Sequence, residues 1–147
     1  LISNSYDAGA TEVKIKLDLD RAEIIVRDNG RGMSLEDIEK KFLTIGFVTA
    51  PSDKTDELGR KRIGTFGIGC LSVFPYCNTV QVITKKRDSD ELIELEIDTH
   101  RFFTGVPADI EKERAKCTIH KSDLPKKEGE TIISLEITDD KSVFRNK

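Results

Sequence analysis

The stretch "TEVKIKLDL" (11–19) changes polarity at every step, setting Val13, Ile15, Leu17 and Leu19 against Lys14, Lys16 and Asp18. A period of two fits a half-buried strand and nothing helical, so this chain must build a sheet with one covered face. "AEIIVRD" (22–28) follows across a short turn at Asp20 and Arg21 and reads as a second strand. "TVQVITKKR" (79–87) and "LIELEID" (92–98) read as a hairpin joined by "DSDE". "TIISLEI" (131–137) is a last strand, with Thr131, Ile133, Leu135 and Ile137 on one face.

Helical signals lie between these strands. Residues 1–8 read as the end of a helix, with Leu1, Ile2 and Ser5 toward one side and Gly9 as its stop. Ser34 and Asp37 form a capping box before Leu35, Ile38, Phe42 and Ile45, so a helix is expected from there to Gly46. Residues 47–62 read as a polar loop with a basic "GRKR" at 59–62. "IGTFGIG" (63–69) then leads into a short apolar helix that Pro75 ends or kinks, and 104–128 carries no assignable pattern. Strands and helices alternate irregularly and hairpins are frequent. The expected fold is therefore α+β: a two-layer sandwich whose mostly antiparallel, mixed sheet carries helices on one face, rather than a parallel doubly wound sheet.

Length and composition narrow the function. The 147 residues suit one domain, and a net charge of −3 gives no support to a nucleic-acid-binding surface spread across it. No apolar run approaches the ~20 residues of a membrane span. Cys70, Cys77 and Cys117 are odd in number and lack CxxC spacing, which suits reduced thiols and a cytoplasmic setting. His100 and His120 have no ligand-like neighbours, so neither is a metal or catalytic candidate.

Two glycine-rich motifs carry the chemistry. "GTFGIG" has neither dinucleotide-fold spacing nor the Lys-Ser/Thr ending of a P-loop. Glycines before a helix still let backbone N–H groups approach an anion, so a phosphate cradle and an ordinary glycine-rich turn both remain open. In "DNGRGM" (28–33) a carboxylate ends a strand just before glycines, where it could accept from a base amino group; a plain Asp-Asn-Gly turn is the alternative.

Taken in order, "NSYDAGA", "DNGRGM", a helix ending in "TIG", a polar loop and "IGTFGIG" resemble the ATP-binding domain of the gyrase, heat-shock chaperone, histidine kinase and MutL superfamily (GHKL). The likeness covers roughly residues 1–87, with an echo at 129–137, and looks closest to the ninety-kilodalton heat-shock chaperone branch. It implies a Bergerat-type fold, ATP and Mg²⁺ as ligands, and a parent with further domains that dimerises when ATP closes a lid at 46–63. By the resemblance, Asn4 matches the Mg²⁺ ligand, Asp7 a residue near the ribose, and Asp28 the carboxylate that accepts from adenine. Gly30 and Gly32 match glycines under the base, and Met33 an apolar wall. Gly64, Gly67 and Gly69 match the phosphate loop, where Ile68 and Cys70 offer backbone N–H groups.

Thr131 matches the threonine that supports the adenine-binding carboxylate, although Glu130 stands where the family has glycine. Lys54, Arg60, Lys61 and Arg62 are candidates for a γ-phosphate contact. The family's general base is a Glu four residues before the Mg²⁺-binding Asn, one helical turn away. Counting back from Asn4 puts it just before Leu1, so the chain is expected to be a fragment cut inside its first helix, binding ATP but hydrolysing it poorly. An ATPase module is the first expectation. A non-catalytic nucleotide sensor and a histidine kinase domain are the alternatives.

Overall fold

The computed structural model describes residues 1–42, 55, 58–64, 71–99 and 115–138. Six strands form one sheet: β1 (Val13–Asp18), β2 (Glu23–Asp28), β3 (Cys77–Lys85), β4 (Glu91–Asp98), β5 (Ala115–Lys121) and β6 (Glu130–Ile137). Their order across the sheet is β1-β2-β6-β3-β4-β5, and every pairing among them is antiparallel. Helix α1 (Ile2–Asp7) precedes β1. The single turn α2 (Leu35–Asp37) continues as a π-helical turn, Ile38–Phe42, and a 3₁₀ turn, Leu71–Tyr76, leads into β3. Among the described residues no helix is long and apolar enough to cross a membrane.

The register aligns inward-facing residues in rows across the strands. One row runs Ile97, Val80, Leu135, Ile24 and the next runs Leu95, Val82, Ile133, Val26. These side chains, with Ile38, Phe74 and Cys77, form the core. Val80, Val82 and Ile97 are fully buried. At the start of β3 the register slips between Cys77 and Thr79, and the Thr99 hydroxyl donates to the Cys77 and Asn78 carbonyls there. The Cys77 thiol donates to the Val73 carbonyl at 3.2 Å, and burial pushes its pKa up to about 11.

The local signals account for most element ends. Helix α1 stops where Gly9 takes φ +77°, and Ser34 and Asp37 make the expected reciprocal capping box. The helix expected to run to Gly46 is α-helical for three residues only before its π turn, and residues 43–54 lie outside the described residues. Among the described residues, the short helix expected before Pro75 is a 3₁₀ turn, Leu71–Tyr76, that contains the proline.

Two expectations are corrected at the sheet edges. Strand β1 is not half-buried: Ile15 is 51% and Leu17 63% exposed, and Leu19 beyond the strand is 89% exposed. Alternation shows that the faces of a strand differ, but only a covering layer buries one of them, and among the described residues none does so at this edge. Residues 115–121, inside the stretch that looked unpatterned, form edge strand β5 on β4. Ala115, Cys117 and Ile119 face the core side and Lys116, Thr118 and His120 alternate with them. Too little apolar surface marks the strand for the period to stand out.

Candidate functional site

One further row of the inward face departs from the rest. It runs Ile93, Thr84, Thr131, Asp28, Val13, so the three inner strands end it in polar residues. Thr84 is 1% exposed, and Asp28 and Thr131 are each 6% exposed. Asp28 accepts from the Ser5 hydroxyl at 2.8 Å and from the Gly30 N–H at 2.9 Å. Burial holds the Asp28 carboxyl above its ordinary pKa, with Glu130 adding a smaller push upward, while the Ser5 and Gly30 hydrogen bonds oppose the shift. Among the described residues no cation pairs with this carboxylate, so it retains lone pairs for an outside donor.

Thr84 closes the row. Its hydroxyl accepts from the Met33 N–H, donates to the Glu130 carbonyl, and lies 3.1 Å from the Thr131 hydroxyl. Thr131 is paired in register with Asp28 despite the intervening Glu130, so the extra residue leaves the two side by side. Met33 is half-buried and packs against the core, as an apolar wall would. The two loops beside this row meet backbone to backbone. Gly32 has φ +67°, and a Cβ there would come within 1.8 Å of the Lys85 carbonyl oxygen. A Cβ on Gly129 would lie 2.4 Å from the Gly30 carbonyl oxygen. No side chain fits at either crossing.

Helix α1 borders the row on one side. Asn4 is half-buried there, and its side-chain amide has no hydrogen-bond partner among the described residues. Asp7 accepts from the Ile63 N–H at 2.8 Å and the Gly64 N–H at 2.7 Å. Its carboxylate is thus engaged by backbone at the start of the glycine run rather than open to a ribose, and the Gly64 N–H points at Asp7 rather than at an anion. Gly67, Ile68, Gly69 and Cys70 lie outside the described residues.

The basic loop is partly visible. Arg60 donates to the Tyr6 and Ala10 carbonyls at 2.8 and 3.1 Å, and its guanidinium lies 4.3 Å from the Tyr6 ring centroid. That placement clamps the end of α1. Lys61 bridges to Thr55, joining two parts of the expected lid. The Nε of Arg62 is buried without a partner among the described residues. Lys54 and His100 lie outside them, and His120 sits on the outer face, 3.7 Å from Glu94.

Three residues in this arrangement escaped the sequence reading. Ser5 had been read only as a helix-face residue, and Thr84 only as part of a strand. The signal for Thr84 was its parity with Val80 and Val82, which makes any residue there inward-facing. The third, Lys85, is fully buried at the end of β3.

A cavity of about 380 Å³ opens beside the polar row, lined by Asp28, Asn29 and Gly129 together with charged residues that include Lys14, Arg27, Arg87, Lys127, Glu12 and Glu130. Within it Arg27 pairs with Glu130 and Lys14 with Glu12. Among the described residues no three His, Cys, Asp or Glu side chains gather as a metal cage. A metal held chiefly by a ligand's phosphates needs no such cage, and the uncommitted amide oxygen of Asn4 is a hard donor that suits Mg²⁺.

The sequence profile described as histidine kinase-, DNA gyrase B-, and HSP90-like ATPase matches residues 1–131. A putative type II restriction enzyme, HgiDII of Herpetosiphon aurantiacus, is 42% identical over 86 residues, which is 58% of this chain and 14% of that protein. Chaperone protein HtpG of Shouchella clausii is 30% identical over 121 residues, covering 80% of this chain and 19% of its own. The ATPase region of Saccharomyces cerevisiae topoisomerase II superposes with a TM-score of 0.62 over 99% of this chain and 38% of that one, at 14% identity. At that identity the likeness is one of fold. The chain spans less than a fifth of either curated relative, at 14% and 19%.

Proposed function

Because the chain belongs to the family of histidine kinase-, DNA gyrase B- and HSP90-like ATPases, we propose that it is the Mg²⁺-dependent ATP-binding domain of a larger ATPase. The observation that carries this reading is Asp28, a buried carboxylate whose side-chain partners are a hydroxyl and an N–H. A desolvated acid with no cation beside it fits a ligand donor better than it fits a structural role. The adenine amino group donates to Asp28, with Thr131 beside it in register and Met33 walling the base.

Asn4 would hold the Mg²⁺, which would neutralise phosphate charge when bound. Asp7 holds Gly64, and the phosphates are assigned to the glycine run that includes Gly67, Ile68, Gly69 and Cys70. The 46–63 loop closes as the lid, hinged where Arg60 grips the end of α1. Arg62, with its buried and unpartnered Nε, is the loop cation we assign to the γ-phosphate. In the larger protein, ATP-driven closure and dimerisation would move other domains.

The test is calorimetric titration with ATP and Mg²⁺. Asp28→Ala should lose binding, because the adenine amino group loses its charged acceptor. Unchanged affinity in a folded Asp28→Ala protein would refute the pocket. Asn4→Ala should weaken ATP more than adenosine, and equal effects would remove Asn4 from the metal.

A further inference from the structure

Lys85 ends β3 on the sheet strand that carries Thr84, and it is fully buried with no carboxylate against it among the described residues. Its three ammonium N–H donors meet three backbone carbonyls: Pro125 at 3.1 Å, Lys126 at 3.2 Å and Glu128. Donor count and acceptor count match, so the charge is satisfied by dipoles of a single turn. The turn is otherwise held by the Asp88 N–H on the Lys126 carbonyl, the Glu128 N–H on the Pro125 carbonyl and an exposed Lys126–Asp90 ion pair at 3.4 Å. It delivers Gly129 onto the Gly30 and Arg31 backbone and leads directly into Glu130 and Thr131. The Lys85 carbonyl itself sits against Gly32, and the Arg87 N–H bonds the Arg31 carbonyl. Both loops flanking Asp28 are therefore indexed to one residue.

We propose that Lys85 is a positioning residue of the nucleotide site: its ammonium holds the 125–129 turn against Gly30 and Arg31, and so sets the spacing of Asp28 and Thr131 around the base. This deepens the ATP-binding reading and rests on it. Lys85 acts through backbone and touches no ligand. Its removal therefore affects the base end of the ligand and spares the phosphate end.

The experiment compares wild type with Lys85→Met, which keeps the stem and removes the donors, in binding to ATP, ADP and adenosine and in amide hydrogen exchange. Affinity for all three ligands should fall by the same factor, about tenfold, and exchange at the Asp88 and Gly30 amides should accelerate. A lysine that merely stabilised the fold would lower the melting temperature and leave the affinity of the folded molecules unchanged; that result overturns the proposal. A loss confined to ATP would overturn it too. Should Lys85→Met fail to fold, Lys85→Gln, which keeps two donors, is read by the same criteria. Wild-type protein that binds no adenine ligand would refute the ATP reading instead, and exchange at Asp88 and Gly30 would then decide the anchoring role alone.

Discussion

Leu95, Val82, Ile133 and Val26 occupy one row of the sheet's inward face, and Ile93, Thr84, Thr131 and Asp28 occupy the next. Both rows are shut off from water, and two residues along each strand separate them. In the first, burial removes apolar surface from solvent and the side chains ask for nothing else. In the second, each buried oxygen needs a partner, and Ser5, Gly30, Met33 and Glu130 supply them. The difference teaches how this fold makes a site: it continues the core by one row and changes what that row has to satisfy.

Substitutions can sharpen or break that division. The largest effect on stability is expected from Leu95→Ala, which should cost ~2–5 kcal/mol in denaturant unfolding while leaving the ATP affinity of folded molecules unchanged. A parallel loss of affinity would mean that the rows are not separable.

Asp28→Asn should do the reverse, lowering affinity by ~1.5–3 kcal/mol through loss of a charged acceptor with little loss of stability near neutrality. It should also remove a pH dependence. Because burial raises the folded pKa above the ordinary 3.8, the folded state holds this proton to higher pH than the unfolded state. The stability it contributes is complete below 3.8 and disappears as pH rises through the raised value. Urea titrations across that window should show this decline in wild type relative to Asp28→Asn. ATP affinity in wild type should run the other way and weaken as acidification protonates the carboxylate. Thr84→Val is the mildest of the set: it strands the Met33 N–H and removes the donor to Glu130, for roughly 1–3 kcal/mol of stability. A change in affinity larger than the change in stability would place Thr84 nearer the ligand than its row suggests.

The two rows were unequally legible in the sequence. Alternation in 79–87, 92–98 and 131–137 displayed the apolar row, because a strand covered on one face must repeat every two residues. Asp28 stood out through its glycines and Thr131 through family likeness. Ser5 and Thr84 did not, because a lone hydroxyl carries no sign of what it faces until register brings strands together. Lys85 was concealed more completely: lysine at a strand end ordinarily reaches solvent, and only the 125–129 turn, some forty residues on, reverses that. At the edges the pattern misled in both directions. Strand β1 displays a strong period while Ile15 and Leu17 stay exposed, and β5 pairs fully with β4 on a period too weak to see.

Cys77 gives the molecule a built-in clock. Its thiol is 5% exposed beneath the 3₁₀ turn, and with a pKa near 11 only a small fraction is thiolate at neutral pH. A thiol reagent can reach it only when the floor of the sheet lifts, whereas Cys117 on the outer strand is reachable at all times. With Cys70 and Cys117 replaced by serine, the labelling rate of Cys77 counts those rare openings one by one. Slower labelling on addition of ATP would show that filling one end of the sheet quiets the other.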